Sequence, residues 1–424
     1  MLERVQPESI GLSEARLARM STWLSEQVSS QRVAGASVMI GRQGKIGHLE
    51  ATGLADEALG RPFAEDTIVR LYSMTKAVTT VAAMMLYEEG HFQLDDPVSA
   101  YLPEFTDTPV WLGGRARLDD VESQKTPMTV RHLMTHTSGL TYGFMGVNVV
   151  DAAHRAAEIE FPGTAANLEE LVKRVAKIPL ICQPGSQWNY SVSSDVLGRL
   201  VEVWSGQSLA DFFAERLFAP LGMTDTGFHV PPDKHDRFAA LYAPLNGASM
   251  SNVGATAKSG VARETGYKLQ ESSSESRFLE PAQLYSGGGG LTGTIMDYGR
   301  FCQMLLNGGA YGGEQILARP TVAYMRRNHL PENRDMAAMG QPVWSETSYD
   351  GIGFGLGFAV VIDPVKAHII TSPGEHHWGG AASTFFWLDP AEDLFVVFLT
   401  QLIPSSTYPI RRELRVRVYQ SIVD

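Results

Sequence analysis

A serine and a lysine three residues apart open the most apolar helical segment of the chain. Ser73 and Lys76 enclose the sequence Ser-Met-Thr-Lys, and a helical pattern over residues 75–89 ends at Gly90. Positions i and i+3 of a helix share one face, so the hydroxyl and the amine are expected to meet. A serine hydroxyl becomes a nucleophile when a neighbouring base takes its proton, and a partly buried lysine can lose enough charge to act as that base. The pattern therefore indicates covalent catalysis by Ser73.

A tyrosine in a loop is the second candidate for chemistry. Tyr190 follows the turn-forming sequence Pro-Gly-Ser-Gln-Trp-Asn and precedes a helix predicted over residues 193–204, so its phenol can point into a cleft. A phenol has an ordinary pKa near 10 and works as a base only where a nearby cation stabilises the phenolate. Lys76 would supply that cation.

A pair of glycines after a tryptophan is the third candidate. Trp378, Gly379 and Gly380 precede Ala381 near a predicted strand. Glycine lets a ligand lie close to the backbone. The N–H groups of Ala381 and Ser73 would then both reach the carbonyl oxygen of a substrate and form an oxyanion hole.

Five motifs, in this order, resemble those of the serine β-lactamase-like superfamily. They are Ser73-Met74-Thr75-Lys76, Leu133-Met134-Thr135-His136-Thr137-Ser138-Gly139-Leu140, Tyr190-Ser191-Val192, Ser286-Gly287-Gly288-Gly289-Gly290-Leu291 and Trp378-Gly379-Gly380. Together they span nearly the whole chain. Within the superfamily the closest resemblance is to family VIII carboxylesterases, which are similar to class C β-lactamases and include acyltransferases of polyketide side-chain transfer.

The resemblance implies a role for each candidate. Ser73 would be the acylated nucleophile, Lys76 and Tyr190 would form its general base, and Tyr190 would later protonate the alcohol leaving group. The backbone N–H groups of Ser73 and Ala381 would hold the oxyanion. No metal or organic cofactor is needed, and the expected partner is a small-molecule ester of short to medium acyl chain.

Two departures from the β-lactamase pattern favour an ester as substrate. Trp378-Gly379-Gly380 stands where β-lactamases carry Lys-Thr-Gly, and Val192 stands where their Tyr-x-Asn carries an amide. A β-lactam would lose charge-assisted hydrogen bonds worth about 1.5–3 kcal/mol each, whereas an uncharged ester loses nothing. The expected substrate contacts are Trp378, Gly379, Gly380, Val192 and the loop residues Tyr142 and Phe144. Acyl transfer, β-lactamase or D-Ala-D-Ala peptidase activity, and a non-catalytic protein of the same fold remain alternatives.

The surrounding elements predict an α/β (α+β) architecture, which the resemblance makes a β-lactamase-like fold. A helix over residues 13–28 and a hairpin over 33–40 and 45–53 begin the chain, and strands over 354–362, 382–388 and 394–401 precede a last helix over 410–422. Strands at both ends and helices between them imply one antiparallel sheet, flanked by the terminal helices, with a mostly helical insert. The predicted sheet domain comprises residues 1–75 plus 285–424. The helical domain comprises 76–284, with an exposed polar excursion or lid over 246–275.

Composition narrows the classes of function. The 424 residues include 35 Lys and Arg against 47 Asp and Glu, a net charge of −12, and 44% hydrophobic residues. An acidic chain of this composition buries a large core and is a poor ligand for nucleic acid. Two cysteines, no apolar run of membrane-spanning length and no recognisable export signal predict a cytoplasmic protein without a membrane span. The oligomeric state stays open, a homo-oligomer included.

Overall fold

An antiparallel sheet of eight strands forms the centre of this computed structural model, which describes residues 2–160, 163–245, 265–340, 349–405 and 407–424. The strands are β1 (Gly35–Arg42), β2 (Lys45–Asp56), β3 (Arg61–Pro62), β4 (Ile352–Phe354), β5 (Ala359–Val361), β6 (His376–Gly379), β7 (Phe385–Asp389) and β8 (Leu394–Thr400). Their spatial order is β4-β5-β6-β7-β8-β1-β2-β3. The two ends of the chain meet where β1 pairs with β8, with Val38 opposite Phe398. The predicted antiparallel sheet built from both termini is thus confirmed.

Helices cover both faces of this sheet and fill the middle of the chain. They are α1 (Glu14–Ser29), α2 (Thr75–Glu88), α3 (Val130–Met134), α4 (Val149–Ala156), α5 (Leu168–Val175), α6 (Ser193–Ser205), α7 (Leu209–Phe213), α8 (Ala219–Leu221), α9 (Ile295–Leu306), α10 (Arg319–Met325), α11 (Met336–Met339), α12 (Pro364–Ala367) and α13 (Ile410–Tyr419). Small antiparallel pairs join Val69–Arg70 to Thr292–Gly293, Val110–Trp111 to Val121–Glu122, Leu241–Pro244 to Tyr267–Glu271 and Ala310–Tyr311 to Glu314–Gln315. Among the described residues, no helix combines the length and the apolar composition that crossing a membrane requires.

Strand alternation divides the core into two layers. In β8 every residue is buried, and successive side chains point to opposite faces of the sheet. Val396 and Phe398 join the layer under the terminal helices, whereas Phe395 and Val397 join the larger core that contains α2, α6 and α9. The apolar faces of α1 and α13 close the first layer through Leu17, Met20, Trp23, Leu24, Ile410, Leu414 and Val418.

The predicted strand over residues 354–362 is wrong in its continuity. It is the hairpin of β4 and β5, closed by the Gly355 N–H to Phe358 C=O hydrogen bond of 2.8 Å. Gly357 has a φ of +92°, and a Cβ there would lie 2.4 Å from Thr80 Oγ1 of α2. Close approach of α2 therefore forces a turn where the β-branched composition favoured a continuous strand. Likewise β7 begins at Phe385 instead of residue 382, because a turn precedes it.

The polar excursion is described only in part. Residues 246–264 of the predicted lid lie outside the described residues, and Tyr267–Glu271 returns as a strand beside Leu241–Pro244. The division into residues 1–75 plus 285–424 and residues 76–284 stays a prediction. All eight strands of the main sheet come from the first of these two sets.

Candidate active site

Ser73 lies in a tight turn that leads directly into α2. The turn Tyr72–Met74 is a 3₁₀ turn, and Tyr72 has a φ of 47°, a left-handed conformation that non-glycine residues seldom adopt. The segment before it is fixed by the Leu71 N–H donating to Leu291 C=O at 2.9 Å. Strained backbone of this kind clusters at functional sites, where the surrounding structure holds it in place. The turn presents the Ser73 hydroxyl at the N-terminal end of a buried helix.

The structure brings the three predicted catalytic side chains together. The Tyr190 hydroxyl hydrogen-bonds Ser73 Oγ at 2.5 Å, and Lys76 Nζ donates to the same oxygen at 3.3 Å. Lys76 Nζ also lies 4.6 Å from the centre of the Tyr190 ring. The serine hydroxyl therefore has two groups within reach that can exchange a proton with it.

Lys76 is held by two further acceptors. Its side chain is almost fully buried, and Nζ donates to the Tyr142 hydroxyl at 3.0 Å and to the Gly288 carbonyl at 2.7 Å. With Ser73 Oγ these make three acceptors, the number that an ammonium group can satisfy. Burial, reinforced by the nearby Asp195 carboxylate, raises the pKa of Tyr142 well above its usual value. Tyr142 thus stays a neutral phenol beside the lysine, and its predicted contact with the substrate stays a prediction.

A buried carboxylate fixes the loop that carries the Gly288 carbonyl. Asp195 Oδ1 accepts hydrogen bonds from Ser286 Oγ at 2.5 Å and from the Gly288 N–H at 3.1 Å. Burial raises the pKa of Asp195, while the positive charge of Lys76 acts in the opposite direction. Sequence reasoning missed both Asp195 and Gly288 as partners of this site. The available signal was an acidic residue on the buried face of α6, beside Val196 and Leu197.

Aromatic rings form one wall of the site. The Trp378 ring at the end of β6 lies 5.5 Å from the Tyr190 ring and 5.3 Å from Phe354, and Trp188 lies 6.5 Å from it, all between ring centres. The indole N–H of Trp378 is buried without a hydrogen-bond partner among the described residues. Sequence reasoning found Trp378 but not Trp188, which lies in the segment before α6, or Phe354, which ends β4.

The other residues predicted to contact the substrate are Phe144, Val192, Gly379 and Gly380, and they have different surroundings. Phe144 stacks on Tyr142 with ring centres 4.5 Å apart, so it extends the same surface outwards. Val192 lies at the start of α6 with 1% of its surface exposed and packs in the main core. The two glycines, Gly379 and Gly380, pass close to Thr384. A Cβ added to Gly379 would lie 2.8 Å from the Thr384 carbonyl oxygen, and a Cβ added to Gly380 would lie 2.2 Å from Thr384 Oγ1.

The backbone after these glycines approaches the nucleophile segment. A Cβ on Gly380 would also lie 2.3 Å from the Leu71 carbonyl, two residues before Ser73. The N–H of Ala381 has no acceptor within the described part of the chain. An amide free at this place suits the predicted oxyanion contact.

Two histidines in and beside the Leu133-to-Leu140 motif, His132 of α3 and His136, have hydrogen-bond partners within the protein. His132 Nδ1 accepts a hydrogen bond from the Thr129 N–H at 3.1 Å and caps α3, and His136 Nδ1 lies 3.1 Å from Ser191 Oγ. Burial lowers the pKa of His136 well below its usual value, which makes a neutral ring the stable form. Within the described ranges, no three His, Cys, Asp or Glu side chains are grouped as a metal site.

Comparison with known proteins identifies the family. The family model described as "Beta-lactamase" matches residues 20–420. The chain is 33% identical to esterase EstB of Burkholderia gladioli, with 98% of both chains covered, and 29% identical to lovastatin esterase of Penicillium rubens, with 91% of this chain and 92% of the relative covered. The solved structure of EstCE1, described as a hydrolase with promiscuous acyltransferase activity, superposes with a TM-score of 0.77 at 28% identity, covering 96% of this chain and 99% of the other. The chain therefore belongs to the beta-lactamase family.

Proposed function

We propose that this chain is a family VIII carboxylesterase that hydrolyses carboxylic esters through an acyl group on Ser73. The observation that carries the proposal is the position of Ser73 Oγ, 2.5 Å from the Tyr190 hydroxyl and 3.3 Å from Lys76 Nζ. Relatives named as esterases, one of them matched over 98% of both chains, support the same reaction class.

Acylation begins when Ser73 Oγ attacks the carbonyl carbon of the ester. The serine proton passes to the pair formed by Tyr190 and Lys76, and the electron pair of the carbonyl π bond moves onto oxygen. The N–H groups of Ser73 and Ala381 stabilise that oxyanion, a contribution worth roughly 10²–10³ in rate for each donor in comparable enzymes. Tyr190 then gives a proton to the alcohol oxygen as the carbon–oxygen bond breaks.

Deacylation repeats these steps with water in place of the alcohol. Tyr190 and Lys76 take a proton from the water, which attacks the acyl carbon of the Ser73 ester. The oxyanion forms in the same place and collapses with release of Ser73 Oγ, which recovers its proton from Tyr190. The free acid leaves, and no group other than water is consumed.

The walls of the site favour an uncharged acyl group. By motif resemblance, Trp378 and Val192 stand where β-lactamases carry the residues that bind a carboxylate and an amide, and both are apolar and buried here. A substrate carboxylate brought against the rings of Trp378 and Phe354 would lose its hydration, because these rings offer no charge-assisted hydrogen bond in return. The preferred substrates are therefore neutral esters of short to medium acyl chain.

Acyl transfer to an alcohol is the second candidate reaction. It needs the same acyl-Ser73 and differs only in whether water or an alcohol accepts the group. The relative EstCE1 carries both activities in its description, and it is matched over nearly the whole chain. Adding a primary alcohol to the assay tests this, because transfer forms a new ester whereas pure hydrolysis forms acid alone.

The primary test compares p-nitrophenyl butyrate with a chromogenic cephalosporin on one purified sample. We expect kcat/KM to be much higher for the ester than for the cephalosporin. Comparable values for the two substrates would make β-lactamase activity the better supported function. Ser73→Ala should abolish ester turnover and should prevent the mass increase of a trapped acyl-enzyme. Ser205→Ala, which removes a serine hydroxyl bonded to the Val201 carbonyl at the end of α6, is the matched control and should keep full activity. Retained activity in Ser73→Ala would overturn the proposal.

A further inference from the structure

The turn between β6 and β7 contains a serine in an unusual backbone conformation. Ser383 has a φ of 66°, in the left-handed region that glycine adopts freely and other residues avoid. It lies two residues after Ala381, in the segment that carries the unpaired Ala381 N–H. Such a conformation persists only where the surrounding structure holds it.

The Ser383 hydroxyl bonds this turn to the segment that follows β8. Ser383 Oγ donates to the Leu402 carbonyl at 2.7 Å, and the Leu402 N–H donates in return to the Ala382 carbonyl at 3.1 Å. The turn is closed from inside by the Ser383 N–H to Gly380 C=O bond of 3.2 Å. Ser383 is buried, so its hydroxyl cannot exchange this partner for bulk water without cost.

The same turn is fixed to the segment that carries the nucleophile. Thr384 Oγ1 donates to the Leu71 carbonyl at 3.4 Å, and Gly380 packs so tightly on that carbonyl that no side chain fits between them. Leu71 precedes Ser73 by two residues. The direction of the Ala381 N–H relative to Ser73 is therefore set by this one turn, with Leu71 on one side and Leu402 on the other.

We propose that Ser383 is a positioning residue of the oxyanion hole: its hydroxyl, anchored on Leu402, keeps the turn in the left-handed conformation that directs the Ala381 N–H at the substrate oxygen. The proposal rests on the ester hydrolysis proposed above. As Ser73 Oγ bonds to the carbonyl carbon, the π electron pair moves to oxygen, and the Ala381 hydrogen bond to that oxygen strengthens. Rotation of the turn weakens this bond in the transition state more than in the bound substrate.

Two substitutions test the anchor. Ser383→Ala removes the hydroxyl but keeps a Cβ, so the left-handed conformation loses its support and stays unfavourable. We expect kcat for p-nitrophenyl butyrate to fall about tenfold, part of what complete loss of an oxyanion donor costs, with little change in KM. Ser383→Cys retains the size of the side chain but donates more weakly, so we expect a smaller loss in the same direction. It also keeps the test valid if the alanine variant does not fold.

A thionoester substrate separates a positioning role from a merely structural one. Sulfur replaces the carbonyl oxygen of the ester, and amide N–H groups bind the larger thio anion poorly. Loss of the Ala381 hydrogen bond should therefore slow hydrolysis of the oxoester more than hydrolysis of the thionoester. The ratio of kcat for the oxoester to kcat for the thionoester should fall about tenfold in Ser383→Ala. Ser421→Ala is the matched control, because it removes a buried serine hydroxyl from a backbone carbonyl, Val418, at the end of α13. It should leave the ratio unchanged.

The outcomes are distinct from those of the proposed function. If the wild-type chain does not hydrolyse the oxoester, the esterase proposal fails before any variant is compared. If the wild type is active and both Ser383 variants keep its oxoester to thionoester ratio, the positioning role of Ser383 is wrong. A lowered ratio in folded variants, absent from Ser421→Ala, supports it.

Discussion

Tyr190 and Lys76 both contact the Ser73 hydroxyl, and we expect them to act at different steps of the proposed reaction. Tyr190 is 2.5 Å from Ser73 Oγ, and in the proposed mechanism it must also reach the leaving oxygen. Tyr190→Phe keeps the ring and removes the hydroxyl. We expect kcat to fall by roughly 10²–10⁴, the range for loss of a general acid or base. Steady-state rates on p-nitrophenyl butyrate measure this.

A matched variant shows whether the loss is chemical. Tyr242→Phe also removes a buried tyrosine hydroxyl, one that accepts the Glu57 N–H at 2.8 Å outside the site, and it should keep the wild-type kcat. An unchanged kcat in Tyr190→Phe would assign the proton transfer to Lys76 alone.

We expect Tyr142 to contribute through Lys76 and not through the substrate carbonyl. Its hydroxyl is one of three acceptors around Lys76 Nζ, whereas its ring stacks on Phe144. Tyr142→Phe retains the stacking and deprives the lysine of one hydrogen bond, worth about 1 kcal/mol, so we expect kcat to fall about fivefold to tenfold. KM for the ester should change little. A large rise in KM with normal kcat would make Tyr142 a substrate contact instead.

The residues with local sequence patterns could be predicted, and their distant partners could not. Ser73 lies in the 3₁₀ turn that leads into α2, and Lys76 lies in the first turn of α2, so their spacing of three residues alone predicts that they meet. Asp195 and Gly288 are 93 residues apart in the sequence. The pattern of apolar residues does not predict the path of the loop that brings them together. Their link to Lys76 depends on how α6 and the glycine-rich loop pack against α2. No local sequence pattern predicts that packing.

At the scale of elements, the turn after β6 has little room for variation. Gly380 has no side chain between Thr384 and the backbone of Leu71, and a Cβ there would lie 2.2 Å and 2.3 Å from their oxygens. Gly380→Ala must therefore displace the turn that carries Ala381. We expect kcat/KM for the ester to fall more than tenfold while most of the protein remains folded, as measured by activity and thermal unfolding.

A glycine in open surroundings gives the comparison for this prediction. A Cβ on Gly227 would meet only the His229 carbonyl, at 3.5 Å, an ordinary contact. Gly227→Ala should leave both activity and melting temperature close to wild type. Normal activity in Gly380→Ala would show that the turn tolerates displacement, and the tight packing would then have no catalytic consequence.

The bounds of a helix or strand could be predicted where a single sequence pattern determined them. The helix predicted over residues 75–89 is α2, Thr75–Glu88, because a long apolar run ending at glycine has few alternatives. The strands near the C-terminus were harder to delimit. Residues 354–362 and 382–388 have β-branched and aromatic composition throughout, yet packing on α2 and on Leu71 converts part of each into a turn. Tertiary contacts of this kind override local propensity.

At the scale of the whole molecule, the sheet separates the site from a buried charge network. β6 presents Trp378 to the site, while the adjacent His377 points to the other face and contacts Glu375 at 2.7 Å. Arg415 of α13 binds both oxygens of Glu375, at 2.6 Å and 3.1 Å. The last helix of the chain is thus joined by a buried ion pair to the residue that directly precedes β6, the strand of Trp378.

This network makes stability depend on pH in a defined direction. Burial alone would raise the pKa of Glu375, but Arg415 and His377 lower it from 4.5 to about 2. A carboxyl group with a lowered pKa in the folded state stabilises the fold above its unfolded value, and this stabilisation is lost as pH falls from about 4.5 to about 2. The depressed pKa of the buried His377 adds to the loss in acid, because protonation of its ring is favoured in the unfolded chain.

Glu375→Gln should therefore lower the free energy of unfolding at pH 7 by about 3 kcal/mol, the equivalent of the pKa difference, and leave Arg415 without its counter-charge. The acid limb of the stability curve should also become flatter between pH 4.5 and pH 2. Denaturant unfolding across this pH range measures both effects. Glu169→Gln, which removes the carboxylate from exposed pairs with Lys173 and Arg199, should change neither. A variant as stable as wild type at pH 7 would mean that the desolvation of Glu375 and Arg415 cancels their attraction, and that apolar packing alone holds α13 on the sheet.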